Sequence, residues 1–357
     1  MKVLHVVGND IGLGNGIGRL VPELISNSNQ YTTYVHELLY IQGSYISNEF
    51  LVYSWRDVRF TISKFIGSYD LVIFHGVYFW QYSLIFICLK FLGIPYLVKP
   101  HSSLMCQAQK KSWLKKNLAN KLFFKRFWGS SSGILFTNSD EKNNSIQVDA
   151  SCYIEPNGIT LPDLTFDYKE KNSLNFVALS RIDFSHKGID ILFDALEILK
   201  SRNLLDQITL DIYGKGGRDE EAELLSRLSS LDVPSVKFLG ALFGDKKYYM
   251  FNSKTVFMSS SRYEGFPMAI LEAMYSGLPC LVTEGTNMTE IVKENNVGWV
   301  VSTGADSLAD GIAKILELSP SEIYEKSINA KNYVVNNHNW ETVTKLSLDI
   351  YKDVLGE

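Results

Sequence analysis

Cysteine is scarce in this sequence of 357 residues, and the four cysteines lie far apart, at Cys88, Cys106, Cys152 and Cys280. No Cys-x-x-Cys pair occurs, and no cysteine has a histidine at zinc-site spacing. These absences exclude a disulfide framework and a structural zinc site of the usual kind. We therefore expect reduced thiols that serve as packing residues in a cytosolic protein.

Long apolar runs are also lacking. The most apolar window, Tyr82–Val98, is interrupted by Lys90, Gly93 and Pro95, whereas a membrane-spanning helix needs about 20 apolar residues. The window predicts a buried helix followed by a strand at 95–99. The opening residues, MKVLHVVGND, become polar too soon for a signal peptide and predict a first strand. We expect a cytoplasmic protein without a spanning helix.

A strong excess of basic charge is missing as well, because the net formal charge is −4. Residues 1–165 contain 15 Lys and Arg against 11 Asp and Glu, and the remainder contains 20 against 28. A basic first half and an acidic second half fit two domains with different partners. Neither half is basic enough to indicate a nucleic-acid partner.

The sequence does contain a repeated pattern of a short apolar strand followed by a helix. A first series of strands is predicted at Val3–Val7, Leu71–His75, Tyr96–Lys99, Gly133–Thr137 and Ser151–Ile154. A second series is predicted at Leu174–Leu179, Ile208–Tyr213, Val236–Leu239, Thr255–Met258, Leu281–Thr283 and Trp299–Val301. Such alternation indicates α/β architecture, with parallel sheets covered by helices on both faces.

A polar and charged segment, Thr160–Ser173, separates the two series and is the predicted linker. We therefore predict two Rossmann-like domains, at residues 1–165 and 166–339. Ligands of open parallel sheets bind at the carboxyl ends of the strands. The candidate motifs fall at such ends in both halves, so two facing sheets would enclose an interdomain cleft.

The most informative stretch is Ser261–Cys280, SRYEGFPMAILEAMYSGLPC. It places Glu264 in a loop before Gly265 and Phe266, and it then predicts a helix that carries Glu272. A helix N-terminus attracts an anion such as phosphate, and carboxylates accept hydrogen bonds from sugar hydroxyl groups. A phosphorylated sugar satisfies both demands. The alternative interpretation is a surface helix with two solvated glutamates.

This stretch resembles the Glu-x7-Glu signature of the family 4 glycosyltransferases, which are retaining enzymes of the GT-B fold that use nucleotide-sugar donors. Other segments resemble the same family, in the same order, along nearly the whole chain: MKVLHVVGNDIGLGNGIGRL, VKPHSSL, IEPNGI, LSRIDFSHKGIDILFDAL, DIYGKGG and VKFLGAL. The resemblance implies a GT-B fold, in which two Rossmann-like domains with parallel sheets face a cleft. It also implies that a final helix within 340–357 completes the first domain.

The resemblance assigns roles to four charged residues. Arg181 and Lys187 follow a predicted strand and would bind the donor diphosphate, where fixed cations stabilise the charge that develops on the leaving group. They would replace a metal ion, since the sequence has no Asp-x-Asp motif. Glu272 would accept a hydrogen bond from the ribose, and Glu264 would contact the donor sugar. The alternative interpretation of Arg181 and Lys187 is that they are solvated charges at the start of a helix.

The resemblance also implies further contacts to the donor. They involve Gly16, the backbone around Gly265 and Phe266, and the strand ends at Gly214, Gly240 and Leu242, where the backbone would recognise the base. Because backbone recognition leaves little trace in side chains, the sequence does not define the base. Uridine diphosphate is the commonest choice in such enzymes.

His101 is the main candidate in the first half, and the resemblance implies that it reaches the donor sugar near the reacting carbon. It follows Pro100, and Ser102 stands where the family usually has glycine. The other histidines are interpreted as weaker candidates at strand ends (His5, His75), as a neighbour of the phosphate site (His186) or as structural (His36, His338).

The loop Gly8–Gly18 is rich in glycine and follows a strand, which is typical of a dinucleotide site. It lacks the required third glycine or alanine, because Ile17, Arg19 and Val21 occupy the positions where one is needed. No phosphate loop of the G-x4-G-K-[ST] type occurs either. The remaining interpretations are a loop that approaches phosphate or acceptor, or a structural turn.

Residues 108–128, AQKKSWLKKNLANKLFFKRFW, contain seven Lys and Arg and no acid. A basic amphipathic helix with aromatic anchors can lie on an anionic membrane surface. A helix packed on the first sheet with a solvated basic face is an equal alternative. The first interpretation predicts a peripheral protein at the inner face of the plasma membrane.

Together these observations predict a metal-independent, retaining glycosyltransferase with no cofactor. It would move sugar from a nucleotide-sugar donor, most commonly a UDP-sugar, to a glycan or lipid-linked acceptor during the synthesis of bacterial surface polysaccharide. Two other enzyme types remain open, a sugar-nucleotide epimerase and a phosphorylase on a similar fold. A non-catalytic, nucleotide-sugar-binding partner of another transferase is a further alternative.

Overall fold

The computed structural model describes residues 1–11, 16–110, 112–162, 170–171 and 173–357. The chain divides into two compact units. Unit 1 comprises Met1–Thr160 and His338–Glu357, and unit 2 comprises Leu161–Asn337. The boundary predicted between residues 165 and 166 lies outside the described residues, as does most of the predicted linker.

The described part of unit 1 contains strands β1 (Lys2–Val7), β2 (Val35–Tyr40), β3 (Val52–Ser54), β4 (Leu71–His75), β5 (Tyr96–Lys99), β6 (Gly133–Phe136) and β7 (Cys152–Ile154). These seven strands form one parallel sheet in the order β3-β2-β1-β4-β5-β6-β7. Every residue of β4 and β5 is buried, as expected for central strands of a parallel sheet covered on both faces.

The helices of the first part of unit 1 are α1 (Gly16–Tyr31), α2 (Trp55–Val58), α3 (Ile62–Ile66), α4 (Gln81–Leu92), α5 (Cys106–Lys110), α6 (Trp113–Ala119), α7 (Lys125–Gly129) and α8 (Ser139–Asn143). A π-helical turn at Asn120–Phe124 joins α6 to α7. The helix predicted at 108–128 is interrupted at Ser112, which adopts a left-handed conformation with φ 59°. None of the described helices combines the length and hydrophobicity needed to cross a bilayer.

The described part of unit 2 contains strands β8 (Asn175–Leu179), β9 (Thr209–Tyr213), β10 (Val236–Phe238), β11 (Val256–Ser259), β12 (Cys280–Thr283) and β13 (Gly298–Val301). They form a second parallel sheet in the order β10-β9-β8-β11-β12-β13. Its helices are α9 (Phe184–Lys187), α10 (Ile189–Ser201), α11 (Arg218–Leu231), α12 (Lys246–Asn252), α13 (Met268–Tyr275), α14 (Thr289–Glu294), α15 (Ala305–Leu316) and α16 (Pro320–Asn337).

The chain then returns to unit 1 as α17 (Trp340–Leu355). Trp340 and Val343 of this helix pack on Leu20 and Leu24 of α1 in one buried cluster. This helix therefore belongs to unit 1.

Two strands of the first sheet, β2 and β3, are not predicted by the apolar pattern. The reason in β2 is that His36 and Glu37 interrupt the apolar run, although both are buried. Glu37 is satisfied from elsewhere in the unit, since Tyr69 donates a hydrogen bond to Oε2 at 2.5 Å and Lys2 donates to Oε1 at 3.4 Å. Such long-range partners are not visible in a local pattern.

The strand order reverses at one point in each sheet, between β1 and β4 in unit 1 and between β8 and β11 in unit 2. At such a reversal, the loops at the carboxyl ends of the two strands run in opposite directions and leave a crevice that commonly binds a ligand. The segments that follow these four strands are therefore the places to look for a site.

Candidate active site

The segments after β8 and β11 bring Lys187 and Glu264 together at the reversal in unit 2. Lys187 Nζ donates a hydrogen bond to Glu264 Oε1, which also accepts one from Ser261 Oγ at 2.7 Å. Asn287 Nδ2 donates to the main-chain carbonyl of Glu264 at 2.6 Å. The side chains of Lys187 and Glu264 are only 18% and 10% exposed, so the glutamate is held in a defined position.

Arg181 and His186 extend this cluster. Arg181 donates from one terminal nitrogen to Asp183 Oδ2 at 2.8 Å and to His186 Nδ1 at 3.0 Å. Because a guanidinium group only donates, His186 Nδ1 is the acceptor and the ring proton lies on Nε2. That nitrogen is 4.0 Å from Glu264 Oε2.

The His186 ring is neutral and stacked in this arrangement. Burial lowers its pKa, and the positive charges of Lys187 and Arg181 act in the same direction against the opposing charge of Glu264. The ring lies on that of Tyr263, with 4.2 Å between the centroids and 25° between the planes. His186 therefore links the two loops of the crevice without adding charge to them.

Local backbone geometry fixes the position of Lys187. Asp183 caps the short helix α9, because its Oδ1 accepts a hydrogen bond from His186 N–H at 2.9 Å. Gly188 follows with φ 64°, and a Cβ atom there would lie 2.1 Å from the carbonyl oxygen of Ser260. Only glycine combines this conformation with such a close approach, which explains the Lys-Gly pair in the sequence.

The charges of the cluster are balanced. Arg181 pairs with Asp183 and Lys187 pairs with Glu264, so the formal charges of these four side chains cancel. The Arg181 side chain is nevertheless 60% exposed. The arrangement therefore presents an exposed guanidinium group beside a half-buried lysine that is paired with Glu264.

Glu272, the second acid of the Glu-x7-Glu spacing, has a lysine partner of its own. Lys247 Nζ donates to both carboxylate oxygens of Glu272 at 2.6 Å, and the two side chains are 10% and 6% exposed. Lys247 is not predicted from the sequence. Two adjacent lysines begin α12, and only the fold distinguishes the buried Lys247 from the exposed Lys246.

The loop between the two acids leads directly into α13. Gly265 and Phe266 are half-buried, and Pro267 occupies the N-cap position without a side-chain hydrogen bond. The helix ends at Tyr275, and Gly277 follows with φ 74°, as the stop signal in the sequence predicts. Glu264 and Glu272 thus lie on either side of a helix start.

The strand ends predicted to recognise the base also meet in unit 2. Gly214 N–H donates to the carbonyl of Gly240 at 2.9 Å, and a Cβ atom on Gly214 would lie 2.0 Å from the carbonyl oxygen of Ser180. Gly240 has φ 75°, and Leu242 is half-buried. Glycine is required at Gly214 because the ends of β8 and β9 approach closely there.

In unit 1, His101 follows β5 in a left-handed turn. His101 and Ser102 have φ values of 47° and 65°, a conformation that is costly for residues other than glycine. Ser102 N–H donates to the buried Glu141 Oε1 at 2.6 Å, and Thr137 donates to Oε2 from N–H and Oγ1 at 2.8 and 2.6 Å. Glu141 thereby holds the turn that contains Ser102.

His101 is itself held by another histidine, since His75 Nδ1 and His101 Nε2 are 3.0 Å apart. Burial lowers the pKa of His101 to about 3, and the positive charge of Lys99 contributes. His101 is therefore neutral near pH 7. Its neutral ring can donate one hydrogen bond and accept one.

Gly16 opens α1 and is exposed, and a Cβ atom there would meet no neighbouring atom within 4 Å. Packing therefore does not require glycine at this position. The preceding residues of the glycine-rich loop, 12–15, lie outside the described residues.

The structure thus groups the predicted residues by unit. It brings Arg181, Lys187 and Glu264 into one cluster and joins Gly214 to Gly240, while Glu272 is paired separately. His101 and Gly16 belong to unit 1. Sequence reasoning does not find Lys247 or Asn287, because their side chains act across 25 and 23 residues, and it also misses the local contact of Ser261 with Glu264.

Comparison with known proteins supports the fold class. The chain matches sucrose-phosphate synthase from Thermosynechococcus elongatus with a TM-score of 0.74 and 16% identity, over 100% of both chains. It matches HepE from Anabaena, in a complex with UDP and glucose, with a TM-score of 0.72 and 17% identity, over 99% of this chain and 100% of that one. Together with the two parallel sheets, these similarities confirm the predicted GT-B fold.

The segment that holds the unit 2 cluster matches a family model. Residues 164–334 match the model described as Glycosyl transferases group 1. The cluster of Arg181, Lys187 and Glu264 and the Lys247–Glu272 pair all lie in this segment. This segment is therefore similar to a glycosyl transferases group 1 domain, in agreement with the coarser part of the predicted resemblance.

Individual relatives match over part of their length. An uncharacterised glycosyltransferase of Methanocaldococcus jannaschii is 33% identical over 169 residues, which cover 46% of this chain and 42% of the relative. The phosphatidyl-myo-inositol mannosyltransferase of Mycobacterium leprae is 27% identical, over 49% and 46%. The amylovoran biosynthesis glycosyltransferase AmsK of Erwinia amylovora is 29% identical, over 42% and 37%. The chain thus spans less than half the length of these curated relatives.

Proposed function

We propose that this protein is a glycosyltransferase that moves a sugar from a nucleoside-diphosphate sugar to a hydroxyl group of an acceptor. The observation that carries the proposal is the cluster of Arg181, Lys187 and Glu264 at the strand reversal of unit 2. This is the place where an open parallel sheet binds a ligand, and it lies within the segment 164–334 that matches the glycosyl transferases group 1 model.

The cations of the cluster suit a diphosphate leaving group. Arg181 is exposed and presents a planar set of donors that fits phosphate oxygens. Lys187 is bonded to Glu264, and an ammonium group has three N–H donors, so it can contact phosphate while it keeps the glutamate in place. A cation that strengthens its contact as the C1–O bond breaks stabilises the transition state more than the ground state.

The reaction would retain the configuration at the anomeric carbon. The bond between C1 and the diphosphate oxygen breaks, the acceptor oxygen bonds to C1 on the same face, and the acceptor proton passes to the departing phosphate oxygen. In this scheme Glu264 contacts the donor sugar and Arg181 and Lys187 hold the leaving group. We propose that the reaction requires no metal ion, because Arg181 and Lys187 supply the N–H donors that contact the departing phosphate.

Glu272 would anchor the nucleoside part of the donor. A carboxylate can accept hydrogen bonds from several donors at once, which suits the neighbouring hydroxyl groups of a ribose. The joined strand ends at Gly214 and Gly240, with Leu242 beyond them, would surround the base. Uridine is the base we propose, since the structurally similar HepE of Anabaena was crystallised with UDP and glucose.

We propose a glycan or lipid-linked acceptor and a place in surface-polysaccharide assembly. The names of two relatives support this choice, since one acts on phosphatidyl-myo-inositol and the other in amylovoran biosynthesis. The reaction would then take place on the cytoplasmic side of the plasma membrane, where nucleotide sugars are available.

Unit 1 has a surface suited to that location. One group of exposed apolar residues has exposures of 59–74% and comprises Trp113, Leu114, Leu118 and Leu122. A second group, 43–86% exposed, forms a stripe along α4 and its N-cap and comprises Trp80, Leu84, Ile87 and Phe91. The two helical regions are in contact, because the rings of Phe86 and Phe123 lie 5.5 Å apart. The segment that carries Trp113, Leu114, Leu118 and Leu122 also carries exposed basic residues, namely Lys115, Lys121, Lys125 and Arg126. We propose that this surface binds anionic lipid.

Flotation with vesicles of neutral lipid, alone or mixed with anionic lipid, tests the lipid-binding surface. We expect binding only to the anionic vesicles and release by salt. The Leu114→Ser, Leu118→Ser double variant should lose it, whereas Leu225→Ser, at a leucine that is 54% exposed in unit 2, should not. Absence of binding by the unaltered protein would contradict this part of the proposal and leave the transferase activity open.

A panel of nucleotide sugars in a thermal-shift assay tests the central proposal, followed by turnover with extracted acceptors in the presence and absence of EDTA. We expect a shift with one donor, transfer that persists in EDTA, and a product of unchanged anomeric configuration by NMR. Epimerised donor without an acceptor would indicate the epimerase alternative. Donor binding without turnover would indicate a non-catalytic partner, and no donor binding at all would overturn the proposal.

A further inference from the structure

A row of four histidines crosses the sheet of unit 1 diagonally, from the beginning of β2 to the turn after β5. His36 comes from β2, His5 from β1, His75 from β4 and His101 from the turn after β5, which are four neighbouring strands in the sheet. Successive ring nitrogens are 2.9, 2.9 and 3.0 Å apart. The ring centroids are 5.2–5.3 Å apart, and adjacent planes differ by 23–32°.

Every link in this row has the same polarity. His36 Nδ1 faces His5 Nε2, His5 Nδ1 faces His75 Nε2, and His75 Nδ1 faces His101 Nε2. A neutral imidazole has one N–H and one lone pair. The whole row therefore has two consistent proton arrangements, in which all four rings carry the proton on Nδ1 or all four carry it on Nε2.

We propose that these histidines form one hydrogen-bonded relay that fixes the proton on Nδ1 of each ring, so that the terminal Nδ1 of His101 is a hydrogen-bond donor. His5 and His75 are then positioning residues that act on a ligand through His101. Among the described residues, the structure contains no other row of this kind. The relay itself does not depend on the proposed transferase activity; only the identity of the ligand does.

The end of the row at His36 selects this arrangement. His36 Nε2 is buried and has no hydrogen-bond partner within the described part of the chain. A buried N–H without an acceptor is rarer and more costly than a buried acceptor without a donor. The proton of His36 is therefore placed on Nδ1, from which it is donated to His5 Nε2. Each following ring then also carries its proton on Nδ1, as far as His101.

The surroundings of the row keep it neutral. Lys99 lies on β5 and is 2% exposed, and its Nζ donates to the buried Glu155 at 2.7 Å. Burial lowers the pKa of His5, His75 and His101, and the positive charge of Lys99 lowers each further. An uncharged N–H donor suits a sugar hydroxyl oxygen, and under the proposed function the ligand of His101 is the donor sugar.

The ¹⁵N NMR spectrum of the full-length protein, labelled at histidine, tests the relay directly. We expect all four rings at pH 7 to show a protonated Nδ1 and an unprotonated Nε2. Rings of mixed or opposite tautomers, or a row protonated on Nε2, would overturn the proposal. This measurement requires no substrate, so it stands apart from the success or failure of the proposed transferase activity.

A variant at His5, which lies two rings away from His101 in the row, provides the second test. In His5→Phe we expect the His101 nitrogen shifts to move towards values averaged between the two tautomers, although residue 5 does not touch His101. The matched control is His338→Phe, because His338 is also buried in unit 1 but bonds to the Asn157 carbonyl at 2.9 Å, outside the row. Unchanged His101 shifts in His5→Phe would count against the relay.

If the enzyme turns over a donor, His5→Phe should also lower kcat by roughly tenfold, the smaller effect typical of a residue that orients a contacting group. The KM of the donor should change less. His5→Gln retains a donor and an acceptor and should recover part of the loss. Equal losses in His5→Phe and His338→Phe would show that the effect is structural, which would contradict a positioning role.

Discussion

Lys247 Nζ lies 2.6 Å from each carboxylate oxygen of Glu272. The pair is almost completely buried, so each charge depends on the other for its stability. Loss of one partner from a buried ion pair typically costs 3–5 kcal/mol, because the remaining charge has no compensation. The second acid of the Glu-x7-Glu spacing therefore contributes to the fold of unit 2 as well as to any ligand contact.

We predict that Glu272→Ala weakens donor binding by one to two orders of magnitude, since one charge-assisted hydrogen bond contributes roughly 1.5–3 kcal/mol. It should also destabilise unit 2 by about 3 kcal/mol or more. The Lys247→Met, Glu272→Gln double variant should recover most of the stability and none of the affinity. Calorimetric titration and urea unfolding separate the two effects, and unchanged donor affinity would remove Glu272 from the site.

We predict that Lys187→Met lowers kcat by roughly 10²–10³, the effect of removing one preorganised group that stabilises developing charge. Donor affinity should fall less, because Arg181 remains. Arg202→Met is the control, since this arginine forms an exposed ion pair with Asp310 elsewhere in unit 2. Equal kcat values for Lys187→Met and the unaltered protein would exclude a role for Lys187 in leaving-group stabilisation.

We predict that Gly188→Ala destabilises unit 2 by about 2–4 kcal/mol, since alanine would combine left-handed strain with a clash against the Ser260 carbonyl. The displaced backbone should also separate Lys187 from Glu264 and reduce turnover. Gly304→Ala is the matched control, because its backbone is extended and a Cβ atom there would meet open space. Urea unfolding of both variants measures the difference, and similar stabilities would show that the backbone can yield at Gly188.

Ser102 permits a prediction in unit 1. Its φ of 65° strains any residue with a Cβ atom by roughly 1–2 kcal/mol. Ser102→Gly should therefore be more stable than Ser102→Ala by about 1 kcal/mol, because both lose the hydroxyl group and only glycine relieves the strain. Denaturant unfolding compares the two. If alanine proves as stable as glycine, the left-handed turn is not strained in solution.

Acid should destabilise unit 1 in particular, because this unit contains five histidines with lowered pKa values: His5, His36, His75, His101 and His338. Burial is the main cause for each of them. Their pKa values in the folded state lie below the ordinary value of 6.5, at about 4 for His36 and His338 and about 3 for His101. The unfolded chain therefore takes up protons first.

The stability contributed by these neutral histidines is present above pH 6.5 and is lost as the pH falls towards the folded-state values. Each histidine reduces the free energy of unfolding by about 1.4 kcal/mol per pH unit within that window. Hydrogen exchange at pH 7 and pH 5 should show a larger loss of protection in unit 1 than in unit 2. His338→Gln should reduce the dependence of the free energy of unfolding on pH by the contribution of one histidine. Equal losses of hydrogen-exchange protection in both units would contradict the prediction.

The local sequence pattern correctly predicts those strands that are buried, mainly apolar runs. The predicted limits of Leu71–His75 and Tyr96–Lys99 match β4 and β5, because both are buried runs between clear turn signals. The same pattern fails at β2, where buried His36 and Glu37 are satisfied by residues far away in sequence. Burial of polar residues is a tertiary property that a window of sequence does not contain.

The candidate site shows the same division. Glu264, Glu272, Arg181 and Lys187 are predicted from their spacing and from the family resemblance, and they stay predictions. The structure explains Gly188 by a backbone contact. The partners of the two acids are not predicted, because Lys187 and Lys247 reach them across 77 and 25 residues. The histidine row is also missed, since it depends on strand order rather than on any motif.

The return of α17 to unit 1 has a consequence for synthesis of the chain. Tyr351 of this helix donates to the buried Glu155 at 2.8 Å, and Ile350 and Tyr351 pack against the first sheet. A ribosome delivers these residues only after it has made all of Leu161–Asn337. Unit 2 can thus become compact while the earlier part of the polypeptide still lacks its closing helix. The nascent N-terminal half must wait, with an apolar surface uncovered, until the ribosome has also made α17.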